Sequence, residues 1–322
     1  MIPDAPWGTI FPAAAYTGEE LLVVDLPTGR TLGYDPATRV WTRHECSPTP
    51  FDGVSPSVWT GTELVILDRY RANRGYAYDP EARAWRKLAG SPLDEQWLAV
   101  LADGDIVVRG RKRDMALYDL ASDHWSVLPE PPGGRVDSLY WTGSEVLAIM
   151  SGGEHAGVRV AALDPGSRTW SDAVTVPLDA RSPGTVWIDA RPVFPDGAAP
   201  PGTAADAQAI DDFDCLAWAQ PALWTGDLLV GRYADAALDP ETGECYALPD
   251  IEVWDAFTED GDRSWFTSVW TGDEILTWSG ANEDTSPPKT AGLAFRIEAA
   301  DASRDVPAVR PSPGSSAEPA PA

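Results

Sequence analysis

The sequence predicts an all-β fold, a β-propeller of four-stranded antiparallel blades, and two repeated patterns carry this prediction. In the first, an aromatic-Thr-Gly step returns five times. Its copies begin at Tyr16, Trp59, Trp141, Trp224 and Trp270. The intervals between these aromatic residues are 43, 82, 83 and 46 residues, so the middle intervals are close to twice the outer ones. A period of about 42 residues is typical of a propeller blade.

The second pattern is a fixed interval between a turn aspartate and a tryptophan six residues later. It occurs in four copies: Asp35 and Trp41, Asp79 and Trp85, Asp119 and Trp125, Asp164 and Trp170. A fifth copy, at Asp239, has Cys245 in the place of the tryptophan. An aspartate suits a turn because its side chain accepts hydrogen bonds from nearby backbone N–H groups, and a tryptophan offers a large flat face to the next blade.

The second copy shows the elements of one blade in order. Its short segments rich in β-branched and aromatic residues predict four strands, at 57–59, 63–67, 75–78 and 85–88. A Thr-Gly turn follows the first strand, and an Asp-Pro turn follows the third. This order is that of an antiparallel meander.

The anchor positions of the repeat predict the number of blades. The two long intervals each have room for one more copy whose sequence has degenerated, here called a worn copy. With these copies included, the positions equivalent to the repeated aromatic residue, here called anchors, fall at 16, 59, 101, 141, 187, 224 and 270, which predicts seven blades. The alternative is six blades with an insertion near 180–220. The propeller is expected to span residues 1–310, and 311–322 to be a disordered Pro/Ser/Ala tail. Either an N-terminal strand marked by Trp7 or residues 303–309 would complete the last blade.

The sequences Tyr34-Asp35-Pro36 and Tyr78-Asp79-Pro80, each followed by its tryptophan, resemble the kelch repeat. The resemblance covers roughly residues 12–297, and the paired glycine of that repeat survives at Gly152-Gly153. It implies a propeller of the kelch and galactose oxidase-like superfamily. Members of this superfamily include interaction modules, a copper oxidase and a sugar-acid epimerase.

The composition of the chain disfavours some classes of binding partner. The chain of 322 residues has 50 acidic and 24 basic residues and a formal charge of −26, which disfavours nucleic acid and anionic membranes. No apolar run reaches the roughly 18 residues that a membrane span needs, and no signal peptide is recognised at the N-terminus. Three scattered cysteines predict reduced thiols and a cytoplasmic protein. Nothing indicates an oligomer, so a monomer is expected.

Two loops predicted on the variable face carry half of the candidate binding residues. Their arginines are Arg69, Arg71, Arg109, Arg111 and Arg113. A local positive patch on an acidic protein focuses small anions such as carboxylates or phosphates. The alternative is a pair of solvated loops that neutralise nearby acids.

A second set of candidates is expected near the central channel. Arg135, Arg181 and Arg263 precede the anchor positions 141, 187 and 270 by six or seven residues, and Trp97 and Trp265 lie outside the repeat positions. Such arginines can bind an anion, or bond the carbonyl groups of an adjacent blade. The tryptophans can stack on a ligand, or fill the channel as local core.

The function expected from these features is that of a non-catalytic binding propeller for a protein or a small anionic ligand. The alternative is an enzyme acting on a sugar or sugar acid, with Glu154 or His155 moving protons. His124 and His155 are predicted on opposite faces, so a copper site like that of galactose oxidase is not expected. No cofactor or metal is expected.

Overall fold

The computed structural model describes residues 2–150 and 158–176, followed by shorter segments. These segments are 186–188, 191–195, 209–210, 223–225, 228–230, 236–239, 245–247, 266–279 and 292–296. The fold is all-β, as the sequence predicts, and the described residues form 27 strands and no helix. Within these segments there is accordingly no apolar helix of membrane-spanning length.

The first half of the chain forms four regular sheets, each a meander in which consecutive strands pair antiparallel. Sheet one contains β1 (Pro12–Tyr16), β2 (Leu21–Asp25), β3 (Arg30–Asp35) and β4 (Val40–Arg43). Sheet two contains β5 (Ser57–Trp59), β6 (Leu64–Leu67), β7 (Gly75–Asp79) and β8 (Ala84–Lys87). Sheet three contains β9 (Leu98–Ala102), β10 (Asp105–Arg109), β11 (Met115–Asp119) and β12 (His124–Leu128). Sheet four contains β13 (Ser138–Trp141), β14 (Val146–Met150), β15 (Val158–Asp164) and β16 (Thr169–Trp170), with β17 (Val174–Val176) also on β15.

The second half is less regular. β18 (Val186–Ile188) begins where the worn copy is predicted, and it pairs antiparallel with β19 (Arg191–Pro195). β19 then pairs parallel with β20 (Ala209–Ile210), which departs from a meander. β21 (Leu223–Trp224), β22 (Leu229–Val230), β23 (Ala236–Leu238) and β24 (Cys245–Ala247) form a four-stranded sheet. β25 (Phe266–Trp270), β26 (Ile275–Ser279) and β27 (Gly292–Phe295) form the last described sheet.

The four-stranded antiparallel sheets support a propeller-like architecture, whereas the choice between seven blades and six stays a prediction. The predicted tail at 311–322 and the segment 303–309 lie outside the described residues.

The sheets stack face to face because both faces of their second strands are apolar. In β2, Leu22 and Val24 pack against sheet two, while Leu21 and Val23 pack against Leu276 and Trp278 of the last described sheet. The same alternation continues through sheets two, three and four. First strands of neighbouring sheets lie side by side, and β25 lies beside β1. This packing explains why the second strands read as continuous hydrophobic runs rather than alternating ones.

The Thr-Gly turns behave as the repeat predicts. In each described copy the threonine Oγ1 accepts a hydrogen bond from the backbone N–H three residues on, as in Glu63 N to Thr60 Oγ1 at 2.9 Å. Gly61 has a φ of +95°, a conformation that side chains with a Cβ rarely adopt. The worn third copy replaces this turn with Asp103-Gly104, where both φ values are positive, as a tight hairpin requires.

The turn aspartates also act as predicted. Asp119 Oδ1 accepts a hydrogen bond from Ser122 N at 2.9 Å, and Asp35, Asp79 and Asp164 make equivalent bonds. These bonds satisfy backbone groups that the antiparallel ladder leaves unpaired.

Each fourth-strand tryptophan links its sheet to the preceding one through its indole N–H. Trp85 donates to Glu45 O, Trp125 to Ala89 O and Trp170 to Pro129 O, all at 2.8–2.9 Å. These acceptors all lie just after the fourth strand of the preceding sheet.

The first sheet uses the N-terminus for the same link. Trp41 donates to Pro3 O at 2.8 Å, and Ile2 N donates to Gly292 O at 2.9 Å. The N-terminal segment therefore stands at the edge of the last described sheet, where a fourth strand would end. The pairing residue is Ile2, and Trp7, the predicted marker of a closing strand, lies outside this bridge.

Candidate functional site

The antiparallel meanders divide the loops between two ends of the molecule. The Thr-Gly and Asp turns lie at one, here called the turn end. The loops between second and third strands, and those joining successive sheets, lie at the other, here called the variable-loop end. The candidate site lies at the variable-loop end, between sheets two and three.

Three arginines converge there on one indole ring. The guanidinium carbon of Arg69 lies 3.5 Å from the centroid of the Trp97 ring, that of Arg109 lies 5.8 Å away and that of Arg135 lies 5.9 Å away. These distances are within the range of cation–π attraction. Arg69, Trp97, Arg109 and Arg135 are here called the Trp97 cluster. All four were predicted as binding residues from the sequence, but in separate groups.

The backbone leading into β9 holds this cluster together. Trp97 N donates to Arg109 O at 2.9 Å, and Gln96 N donates to Arg69 O at 2.8 Å. The buried side chain of Gln96 also donates through Nε2 to Asp68 O at 2.9 Å. Two adjacent residues therefore join the end of β6 to the end of β10, and their bonds set the positions of Arg69 and Arg109.

The indole ring is fixed by a carboxylate. Trp97 Nε1 donates to Glu95 Oε2 at 2.9 Å, and Arg111 Nη1 donates to Glu95 Oε1 at 3.0 Å. The bond from Trp97, and then that from Arg111, lower the pKa of the Glu95 carboxyl. Glu95 is therefore ionised at neutral pH and occupied by these two donors.

Arg109 is the least solvated cation of the cluster. It is 2% exposed; its Nη1 donates to Gly110 O at 2.8 Å, and its Nε has no hydrogen-bond partner. Burial, and then the charge of Arg135, lower the pKa of Arg109. Because an arginine stays protonated in proteins, this lowering reflects a cation held in an unfavourable place.

Buried polar atoms without hydrogen-bond partners gather at this junction. In the described part of the chain there are six such side-chain atoms, and four belong to one neighbourhood: Asp68 Oδ2, Arg69 Nε, Gln96 Oε1 and Arg109 Nε. Nearly all buried polar groups in folded proteins are paired, so this concentration singles out the junction as a candidate site.

The remaining loop arginines are paired with acids or carbonyl groups. Arg71 lies 3.4 Å from Asp52 and 3.6 Å from Asp68, measured between Nη1 and the carboxylate oxygens. Arg113 donates to Pro131 O at 2.7 Å and lies 3.6 Å from Glu130. The contacts of Arg71 and Arg113, and that of Arg111 with Glu95, agree with the alternative in which the loop arginines neutralise nearby acids.

The other candidates lie outside the described residues. They are Arg181, Arg263, Trp265, Glu154 and His155. Arg135 is well exposed, and its Nε lies 3.8 Å from Asp137 Oδ1.

Sequence reasoning missed three supporting residues. Asp68 and Glu95 each stand next to or near a predicted residue, so their charge was a usable signal. Gln96 offered no signal, because its role depends on bonds to a loop 28 residues away in the chain.

The histidines do not assemble a metal site in the described region. His44 is buried, with Nδ1 at 2.7 Å from Tyr78 Oη and Nε2 at 3.2 Å from Glu20 Oε2, and His124 is exposed at the turn end. Across the described segments, no group of three or more His, Cys, Asp or Glu side chains is placed to hold a metal ion.

No protein-family model matches the chain, and no curated protein matches it in sequence.

Proposed function

We propose that this chain is a kelch-like binding propeller that recognises a small anionic ligand at the Trp97 cluster. The observation that carries the proposal is the buried guanidinium of Arg109, which has an unpartnered Nε and lies beside two further arginines on one ring.

The buried charge of Arg109 carries a cost in free energy that a bound anion would reduce. A buried cation without a carboxylate in contact costs several kcal/mol, and neighbouring like charges add to this cost. For Arg109 the charges of Asp137 and Asp114 offset only part of it, because the pKa is still lowered. An anion held by the more accessible Arg69 and Arg135 offsets the charge of Arg109 without touching its buried Nε. The surrounding chain carries a net charge of −26, so a local positive cluster is the place where an anion is attracted rather than repelled.

A compact anion suits the cluster better than an acidic protein surface. Glu95 bonds the Trp97 ring itself, and Asp137 lies 3.8 Å from Arg135. These acids repel an extended negative surface, whereas a small ligand meets only the guanidinium groups.

The kelch-like assignment is supported by one repeated contact. In three copies the residue before the turn aspartate is a tyrosine that packs on the tryptophan of its repeat. The ring centroids are 5.1 Å apart for Tyr34 and Trp41, and 4.9 Å apart for Tyr78 and Trp85 and for Tyr118 and Trp125. The Tyr-Asp-Trp pattern is therefore one packing unit.

Thermal-shift titration at constant ionic strength tests the proposal, with acetate, phosphate and sulfate as probes. A ligand at 100 times its Kd stabilises the folded state by about 2.7 kcal/mol, which moves the melting temperature measurably. Arg135→Met and Arg109→Met are expected to remove the shift. Arg43→Met is the matched control, because Arg43 is exposed at the same end but contacts Trp7 instead. Absence of any anion-dependent shift, or a full shift in Arg135→Met and Arg109→Met, would contradict the proposal.

A further inference from the structure

An exposed aromatic side chain stands beside the Trp97 cluster. Four large hydrophobic side chains in the described part of the chain are strongly exposed: Val40, Val54, Tyr70 and Val127. Tyr70 is the aromatic one, at 54% exposure, and it follows Arg69 directly in the chain. Val40 and Val127 lie on fourth strands, away from this loop.

The Arg69 guanidinium connects the two aromatic rings. Its carbon lies 3.5 Å from the Trp97 centroid and 5.7 Å from the Tyr70 centroid. Positive charge and exposed aromatic surface are therefore adjacent, within the reach of a single small molecule.

The loop that carries Tyr70 is held in place by polar contacts. Tyr70 N donates to Asp68 Oδ1 at 3.1 Å, and Arg69 N donates to Ser55 Oγ at 3.2 Å. Arg71 adds its contact with Asp52 at 3.4 Å. An exposed ring on an anchored loop loses little conformational freedom when a ligand stacks on it.

We infer that the ligand of this site is a carboxylate carried on a planar ring, with Tyr70 as the residue that recognises the ring. This inference rests on the proposed anion-binding function. The carboxylate pairs with the guanidinium groups of Arg69 and Arg135, whose planar donors match its two oxygens. The ring packs against Tyr70, whose surface a bare anion leaves in water.

The protein's charge favours a carboxylate over a phosphate ester. A phosphate monoester brings a charge of about −1.5 to −2 at neutral pH, whereas a carboxylate brings about −1. Against a net charge of −26, the monoanion meets less long-range repulsion.

Three probes test the carboxylate and the ring of the ligand separately: acetate, benzoate and benzamide. Each is titrated into the full chain at constant ionic strength, and binding is followed by the indole N–H resonances. Benzoate is expected to bind between about twofold and tenfold more tightly than acetate, the range that one aromatic contact supplies. Benzamide, which lacks the charge, is expected not to bind. Tyr70→Ser should bring benzoate down to the affinity of acetate and leave acetate unchanged. Val54→Ser is the matched control, because Val54 is exposed at 44% on the neighbouring loop, and it should keep the preference.

The possible outcomes distinguish a failure of the inferred ring recognition from a failure of the proposed anion binding. Equal affinities for benzoate and acetate in the unaltered chain, or a preference that survives in Tyr70→Ser, would overturn the role of the ring while the anion site stands. Benzamide binding as tightly as benzoate would overturn the requirement for a carboxylate. If neither acetate nor benzoate binds, both the inference and the proposed function fail.

Discussion

The two ends of the molecule treat their polar groups in opposite ways. At the turn end, each threonine and aspartate bonds the backbone of its own turn, and the same bonds recur from sheet to sheet. At the variable-loop end lie all six buried side-chain atoms that lack hydrogen-bond partners in the described residues. Hydrogen bonds within each turn stabilise the scaffold, whereas buried polar groups without hydrogen-bond partners are retained where binding needs them.

Five aspartates follow the same contrast, whereas Glu95 at the variable-loop end, with a lowered pKa, and Asp105 at the turn end, with a raised pKa, depart from it. Hydrogen bonds from their own turns lower the pKa values of Asp35, Asp119 and Asp164 at the turn end. Burial raises the pKa values of Asp25 and Asp68 at the variable-loop end. Four predictions test this comparison.

The largest effect on stability is expected from the repeated tryptophans. Trp85→Ala removes the stack on Tyr78 and the bond to Glu45 O, and should lower the free energy of unfolding by about 3 kcal/mol. Trp97→Ala, at the variable-loop end, should cost clearly less and abolish anion binding. Urea denaturation of both variants measures the difference, and equal losses would break the comparison.

A stabilising effect is expected from Arg109→Met. The substitution replaces a buried cation, whose Nε has no hydrogen-bond partner and which contacts no carboxylate among the described residues, by an apolar side chain of similar length, and should raise the free energy of unfolding by about 1 kcal/mol. The same variant should lose the anion-dependent shift. Destabilisation by Arg109→Met would mean that the charge is already compensated.

A smaller and repeatable loss is expected at the turn end. Thr60→Val removes the bond from Glu63 N at 2.9 Å, and should lower the free energy of unfolding by about 1 kcal/mol. Thr142→Val removes the equivalent bond in sheet four, and the two losses should add in the double variant. Unequal losses in the two sheets would show that the turns are not equivalent.

The smallest effects should have opposite signs at the two ends. The folded pKa of Asp119 is lowered, so its ionised carboxylate stabilises the fold above the unfolded pKa of about 3.9, and this stability is lost as pH falls through the folded value. The folded pKa of Asp68 is raised, so its ionisation destabilises the fold above that folded value, and the penalty disappears in acid.

At pH 7, Asp119→Asn should therefore be less stable than the unaltered chain, and Asp68→Asn more stable. Both differences should shrink towards pH 3, which thermal unfolding across this range would measure. Differences of the same sign for the two variants at pH 7 would contradict the contrast.

The regular part of this fold was predictable because it depends on local chemistry. The six-residue interval from Asp79 to Trp85 and the Thr60-Gly61 turn each follow from bonds within a few residues. The parallel pair of β19 and β20 was not predictable, because the repeat pattern disappears there.

The types of residue in the candidate site were predictable from the sequence, but which of those residues come together was not. Arg109 and Arg111 are two positions apart, yet Arg109 is buried with an unpartnered Nε, whereas Arg111 is exposed and bonded to Glu95. Which acids lie near each arginine depends on how neighbouring sheets pack, and the convergence of Arg135 on Trp97 brings in a residue from the next connection along.

The bond between Ile2 and Gly292 has a consequence for synthesis. A ribosome adding about 5 to 20 residues per second needs roughly 15 to 60 s to travel from one partner to the other. Pro3 and Trp41 can meet early in that time, but the backbone N–H of Ile2 has no counterpart until Gly292 is made. Unpaired backbone groups at a sheet edge can pair with other chains, so we expect the nascent protein to be open to such pairing until residue 292 emerges.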